Sequence, residues 1–404
     1  MSCNGAAKDF QIDEQSQKIS QFLQQVDHKI VVMSGKGGVG KSTVAANLAV
    51  FLSNQGYKVG LLDVDVHGPS IAGLFGLTGL KLDIMGKQIQ PHVFAENLKI
   101  VSIQGLLDDP DSPLIWRGPV KIGIIRQFLS DVIWGPLDYL IIDSPPGTGD
   151  EPLTVAQTVT DCQAIIVTTP QEIALADVRK SIQFCEVVNL PILGIIENMR
   201  GFVCPTCGST HAIFKSGGGE KTAADHNIPF LGYLPVDPSV VTAGDAGQTI
   251  DSLTSHTKEE MQHIVDQLIQ KLTNKQKEVD DTMKMKIALP SRQNLIDNHF
   301  GHCEYFTVFT VDKNSKEIVG QETIESPVGC GCKSNIAQTL SEIGVKVMLA
   351  GNMGDGAVQV LNNSGIEVVR GCSGDIKTVA LAWIAGSLVD SGDSCHEHEH
   401  GCHS

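Results

Sequence analysis

The chain has 404 residues, enough for two or three domains, and its 42% hydrophobic and 19% charged residues with 41 glycines are the composition of a loop-rich α/β protein, which excludes a disordered chain. A formal net charge of −16 excludes a general grip on a phosphate backbone, so no nucleic-acid partner is expected and any bound anion needs local geometry. No stretch approaches the roughly 20 apolar residues of a membrane span, and Met1 to Asp9 lacks a basic region followed by an apolar run, so a cytoplasmic protein without a membrane partner is expected.

Residues 1–27 read as an N-terminal extension. From 28 to 272, apolar strands expected at Ile30–Ser34, Lys58–Asp63, Tyr139–Asp143, Ala164–Thr168, Leu193–Asn198 and Phe230–Leu234 alternate with helical patterns. This is the form of repeated βαβ units and a mainly parallel sheet covered on both faces. Met261, Ile264, Val265, Leu268, Ile269 and Leu272 recur at helical spacing and close this first domain. Residues 273–283 are polar and without periodicity, which reads as a linker. A second α/β unit spans 284–389, with strands expected at Met285–Leu289, Tyr305–Val311, Val347–Ala350 and Glu367–Val369. Residues 390–404 form a Cys/His-rich tail, expected to lack structure without metal.

Gly35-Lys36-Gly37-Gly38-Val39-Gly40-Lys41-Ser42 fits G-x-x-x-x-G-K-[ST] between the first strand and a helix starting at Thr43. Backbone N–H groups of such a loop curl around phosphates, Lys41 supplies positive charge to the terminal phosphate oxygens, and Ser42 can ligate Mg²⁺. Asp63 and Asp143 each end an apolar strand at the carboxyl edge, where open α/β sheets place ligands. Asp65 follows in Asp-Val-His-Gly-Pro-Ser, and Asp143 opens Asp-Ser-Pro-Pro-Gly-Thr-Gly-Asp. Carboxylates there hold Mg²⁺ or orient the attacking water, and a loop mixing proline and glycine suits a switch that senses the γ-phosphate.

The extra lysine, Lys36, gives the loop a resemblance to the deviant P-loop ATPases, the class of the Min and Par ATPases, the nitrogenase iron protein and the Mrp-type iron–sulfur carriers. The resemblance implies ATP sandwiched in a homodimer, with Lys36 reaching the partner's nucleotide. It makes Asp65 the residue for the water, Asp63 and Asp143 the Mg²⁺ side, and Asn198, Pro235 and Asp237 the adenine side.

Cys204 and Cys207 form a C-x-x-C after the fifth strand, which presents two thiolates to one metal centre. A four-iron cluster or tetrahedral zinc wants four ligands, and the simplest completion is the same pair from a second subunit. Spacing alone leaves iron–sulfur, zinc and a redox pair open. The P-loop, DVDVHGPS, DSPPGTGD, TTPQEIALADVRK, ENMRGFVCPTCG and LPVDP segments occur in the order of the Mrp family, which this chain resembles over about residues 15–272. That resemblance implies a P-loop NTPase fold and a bridging [4Fe–4S] cluster on Cys204 and Cys207, delivered to apo iron–sulfur proteins by a slow ATPase that also partners the assembly machinery.

In the second unit, Asn-His-Phe-Gly-His-Cys-Glu-Tyr-Phe at 298–306 resembles the small domain of nitrogenase iron–molybdenum cofactor biosynthesis accessory proteins. The resemblance implies a smaller ribonuclease-H-like α/β domain that holds a metal or cluster. His302, Cys303, Cys330, Cys332 and Cys372 are the candidate ligands there, free either to converge on one metal or to serve as buried thiols. Cys395, His396, His398, His400, Cys402 and His403 concentrate further ligands in the tail. Three rival functions are weighed. A Min- or Par-like spatial organiser leaves the C-x-x-C unexplained, an ATP-driven electron donor would need a cysteine within 143–150, and zinc-dependent dimerisation needs no sulfide.

Overall fold

The computed structural model describes the whole chain except residues 1–3, 66–67, 108–117, 205, 207–208, 212, 214–215, 298–299, 301–302, 327–334 and 392–404. It divides into two compact units, Met1–Lys271 and Leu272–Ser404.

The first unit runs α1 (Asn4–Leu23), β1 (Val26–Met33), α2 (Lys41–Asn54), β2 (Val59–Asp63), α3 (Ile71–Leu74), β3 (Asp83–Met85), β4 (Gln88–Gln90), β5 (His92–Ala95) and β6 (Leu98–Ser102). It continues with α4 (Gly118–Asp131), β7 (Leu137–Asp143), α5 (Asp150–Thr158), β8 (Gln163–Thr168), α6 (Glu172–Val187) and β9 (Ile192–Val203). The remaining elements are β10 (Thr210–His211), α7 (Gly218–Asp225), β11 (Phe230–Val236), α8 (Pro238–Asp245) and α9 (His256–Met283). Nine of these strands make one sheet in the order β10-β9-β8-β1-β7-β2-β6-β5, with β11 on the other side of β9, while β3 and β4 pair as a separate two-stranded sheet. Pairing is parallel from β6 through β9 and on to β11, while β5 and β10 are antiparallel edges. The interior strands are buried along nearly their whole length because helices cover both faces, which is why their sequences are continuous Val, Ile and Leu runs. The expected α/β architecture with a mainly parallel sheet is present.

Two boundaries differ from expectation. Residues 1–27, read as an extension, supply α1 and the start of β1; Ile19 and Leu23 pack into the core with Ile125, Phe128 and Trp134 of the α4 region. The segment 273–283, read as a linker, continues helix α9 to Met283. Its Lys, Gln and Glu residues are good helix formers, so propensity extends the helix where the apolar stripe stops.

The second unit holds β12 (Lys284–Arg292), β13 (Leu295–Ile296), β14 (Tyr305–Asp312), β15 (Ile318–Glu325), α10 (Ile336–Glu342), β16 (Val345–Leu349), α11 (Asp355–Asn363), β17 (Glu367–Val369) and α12 (Ile376–Ile384). Its sheet order is β15-β14-β12-β16-β17, with β14 antiparallel to both neighbours and β16 and β17 parallel to β12 and each other. Alternation along β12 sends Ala288 to a core with Ile336 and Leu340 of α10 and Leu361 of α11. Its neighbours Ile287 and Leu289 join a second core with Ile376 and Val379 of α12. The unit is therefore a mixed sheet with helices on both faces.

Candidate functional site

The glycine loop follows β1, whose neighbours are β7 and β8 at the middle of the sheet. Gly38 and Gly40 have φ of 78° and 79°, the left-handed region that glycine enters without strain. Gly40 also lies under Asn198 of β9: a Cβ there would stand 2.1 Å from Asn198 Nδ2. That amide donates instead to the Val39 carbonyl at 2.8 Å, and Met199 N–H donates to Asn198 Oδ1 at 2.9 Å. Ser34 Oγ donates to the Lys36 carbonyl at 2.9 Å, and Gly147 N–H donates to the Ser34 carbonyl at 2.8 Å. The loop is thus braced by β9 and by the segment after β7. Lys36 itself is half-buried, as are Gly35, Ser42 and Thr43, while Gly37 is exposed.

Parallel register places Asp63 of β2 beside Asp143 of β7, and Asp143 beside Val32 of β1. Both carboxyls are fully buried at the carboxyl edge. Lys41, opening α2, reaches Asp143 and Asp65: Nζ is 2.5 Å from Asp143 Oδ1, 3.8 Å from Asp65 Oδ2, and donates to Ser42 Oγ at 3.2 Å. Burial, together with the neighbouring Asp143 charge, pushes the Asp63 pKa up to about 8. Burial also raises Asp143, against the opposing pull of Lys41. Asp63 Oδ1 accepts from the Asp65 N–H at 3.0 Å, and Asp63 Oδ2 sits 2.8 Å from Ser102 Oγ. Asp65 is buried, and its Oδ1 accepts from the Gly68 N–H at 3.1 Å.

Asp143 Oδ2 is buried without a hydrogen-bond partner among the described residues. A buried carboxylate oxygen with spare lone pairs, one residue pair away from the Ser42 hydroxyl through Lys41, suits a hard divalent cation. Both Asp63 oxygens are already engaged, so Asp63 fits support of this site better than ligation of the cation.

Pro235 is buried in β11. Asp237 caps α8: its Oδ1 accepts from Ser239 N–H and Oγ at 2.9 and 2.6 Å, and its Oδ2 from Thr257 Oγ at 2.8 Å. Burial works against its charge, but these hydrogen bonds prevail and hold its pKa below the usual carboxylate value. Its carboxylate is therefore committed to joining β11, α8 and α9.

Cys204 follows β9, half-buried, and its N–H donates to the Ser209 carbonyl at 3.0 Å, closing the loop that leads to β10. Cys207 lies outside the described residues, as do His302, Cys330, Cys332 and every candidate ligand of the tail. Among the described residues no group of three or more His, Cys, Asp or Glu side chains is arranged to hold a metal ion.

Cys303 and Cys372 are not brought together. Cys303 packs with Phe300 and Phe306 in one core of the second unit, and Cys372 in the other core with Ile376. Cys303 lies just before β14 and Cys372 just after β17, and the two segments pack against opposite faces of the sheet. Both thiols are buried, and burial raises both pKa values, that of Cys372 to about 11. Such thiols behave as small apolar residues.

Sequence reasoning missed three contributors. Ser102 ends β6 beside Asp63, a neighbour set by sheet order. Glu197 is fully buried and accepts from Gly217 N–H at 2.9 Å and from Gly219 N–H, which ties β9 to the start of α7. Arg200 pairs with Glu220 at 3.0 Å and covers the Tyr233 ring at 4.7 Å. Only the charge of Glu197 inside an apolar strand run was a visible signal.

Residues 25–273 match the family described as the NUBPL iron-transfer P-loop NTPase, and residues 283–386 match that described as dinitrogenase iron-molybdenum cofactor. An iron-sulfur cluster carrier protein of Methanocaldococcus jannaschii is 49% identical over 263 residues, 65% of this chain and 91% of that protein. A cytosolic Fe-S cluster assembly factor NUBP2 homolog of Dictyostelium discoideum is 50% identical over 230 residues, 56% of this chain and 87% of that protein. A nucleotide-binding protein from Archaeoglobus fulgidus, solved in complex with ADP, superposes with a TM-score of 0.52 at 43% identity, covering 58% of this chain and 91% of that one. With its glycine loop, its paired strand-end aspartates and these relatives, the chain belongs to the NUBPL iron-transfer P-loop NTPase family.

Proposed function

We propose that two copies of this chain hold a [4Fe–4S] cluster between their Cys204 and Cys207 loops and deliver it to apo iron–sulfur proteins in the cytoplasm, with ATP controlling the transfer. The observation that carries this reading is that one strand, β9, touches both sites. Asn198 hydrogen-bonds the P-loop, and Cys204 follows six residues later. Any shift of the P-loop on binding or losing a γ-phosphate therefore has a short covalent path to the cysteine loop. The reading is also supported by the names borne by the two relatives described above and by the ADP-bound neighbour.

Each subunit supplies two thiolates, half the ligands of a four-iron cluster, so a second subunit completes the set. Lys36 in this reading crosses to the partner's nucleotide, and Asp65 orients the attacking water. Ser42 and the unpartnered oxygen of Asp143 would hold Mg²⁺, which would supply charge neutralisation for the nucleotide phosphates. Lys41 holds the terminal phosphate and opposes the burial that raises the Asp143 pKa. No helix among the described residues is long and apolar enough to cross a membrane.

Anaerobic reconstitution with iron and sulfide, followed by metal and sulfide counting and EPR of the wild type and Cys204→Ala, tests the reading. Iron and sulfide in equal amounts, lost in the variant, support it. Zinc without sulfide in protein isolated anaerobically would replace it with structural dimerisation.

A further inference from the structure

The pairing of β9 with β11 is irregular between the two sites. Leu234 of β11 faces Asn198 and Val236 faces Phe202, so Met199, Arg200 and Gly201 stand opposite Pro235 alone. Pro235 has no N–H to give to a ladder, which makes this the place where pairing can break. Met199 sits at φ 61° and Gly201 at φ 78°. A left-handed Gly is ordinary, whereas a left-handed Met is a strained conformation that its surroundings must enforce.

Those surroundings are identifiable. On one side Asn198 fastens to the P-loop through the Val39 carbonyl. On the other the Arg200 guanidinium lies 4.7 Å from the centre of the Tyr233 ring, 3.0 Å from Glu220 Oε2 and 3.8 Å from Glu197 Oε1. Tyr233 is fixed in turn by its hydroxyl, which donates to Glu260 at 3.0 Å. Beyond the bulge the ladder resumes at Phe202, paired with Val236 and with His211, and Cys204 follows at once.

Arg200, Glu220, Tyr233 and Glu260 also line an open cleft of about 690 Å³. The guanidinium can therefore leave its partners without displacing core side chains.

We propose that the Met199–Gly201 bulge is the element that converts nucleotide state into a change at the cysteine loop, and that Arg200 is its positioning residue. Nucleotide acts on the Asn198 end through the P-loop. Arg200 holds the other end against α7 and β11, so a change at Asn198 turns the bulge and redirects the strand carrying Cys204. A strained, doubly anchored bulge suits such a role because release of the Met199 strain offsets part of the cost of rearranging it. This inference rests on the carrier reading, for which it supplies the regulatory link.

The test uses the full-length apo-protein, reduced and anaerobic, and follows alkylation of Cys204 by iodoacetamide using peptide mass spectrometry, with and without ATP and Mg²⁺. In the wild type, nucleotide is expected to change the Cys204 rate by about fivefold or more, the lower range of allosteric coupling. In Arg200→Ala the response falls below about twofold on the same scale, while ATP affinity stays at the wild-type value. Met199→Gly, which removes the strain without removing a contact of Arg200, loses the response in the same way and guards against a folding defect in the first variant. Arg200→Lys keeps the charge toward Glu220 but not the flat face on Tyr233, and gives an intermediate response.

A folded Arg200→Ala protein that binds ATP and keeps the full response would overturn the inference, as would a wild type whose Cys204 ignores nucleotide. A wild type that takes up no iron or sulfide would instead sink the carrier reading, and the alkylation result would stand apart from it.

Discussion

Lys41 Nζ lies 2.5 Å from Asp143 Oδ1 in a buried contact, and sheet register sets Asp63, also buried, beside Asp143. One lysine thus faces two buried carboxyls, and only one of them can keep its charge cheaply. Removing the cation in Lys41→Ala should lower ATP turnover by about 10²–10³-fold, the range for losing a preorganised charge at the reacting phosphate. The apo variant should also be destabilised, by up to about 3–5 kcal/mol where the carboxyls are ionised. That cost should shrink as pH falls and protons replace the missing cation. Urea unfolding at several pH values in the absence of nucleotide checks it.

Asp63 makes a separate pH prediction. Its folded pKa, about 8, lies above the ordinary carboxylate value of 3.8, so the folded state binds a proton the unfolded state has lost. Its contribution to stability is complete below the ordinary value and is lost as pH rises through about 8. Asp63→Asn keeps the shape, still accepts from Asp65 N–H and can donate to Ser102. The apo variant should lose less stability than the wild type between about pH 5 and 8, and equal or exceed it at the upper end. A variant with the wild-type slope would show that Asp63 is ionised in the folded protein at neutral pH.

Gly40→Ala tests the brace from β9. The left-handed backbone alone costs an alanine about 1–2 kcal/mol, and the new methyl would meet Asn198 Nδ2. Nucleotide affinity should fall by about tenfold or more, at 1.4 kcal/mol per decade. Adding Asn198→Ala should recover part of the stability and none of the backbone cost. Differential scanning calorimetry and ADP titration of the single and double variants separate the two effects.

Asp237→Ala removes the cap of α8 and the acceptor of Thr257, and should cost about 1–2 kcal/mol at neutral pH. Because the Asp237 pKa is depressed, its stabilisation is present above the ordinary carboxylate value and disappears as pH falls through the lower, folded one. Wild type and variant should converge in acid. A difference that persists there would assign the effect to packing rather than to the charged cap.

What the sequence made legible was local chemistry. Gly35 to Ser42 carry their purpose in eight consecutive residues, and Asp63 and Asp143 announce themselves as charges ending apolar runs. Relations across the sheet were not legible. Ser102 is the partner of Asp63 only because β6 lies beside β2, and Arg200 reaches Tyr233 only because β11 pairs with β9. The end of α9 was misread because its last turns are held by helix propensity without an apolar stripe. Strand β15 escaped notice since it is an edge with a largely polar, exposed pattern. Cys303 and Cys372 looked like partners in sequence composition, yet the segments before β14 and after β17 place them in different cores.

The most direct test of the shared-cluster reading is native mass spectrometry of the anaerobically reconstituted full-length chain. The expected species is two chains carrying four irons and four sulfides together, reduced to bare chains in Cys204→Ala. A single chain retaining the whole cluster, or a dimer holding zinc and no sulfide, would contradict it.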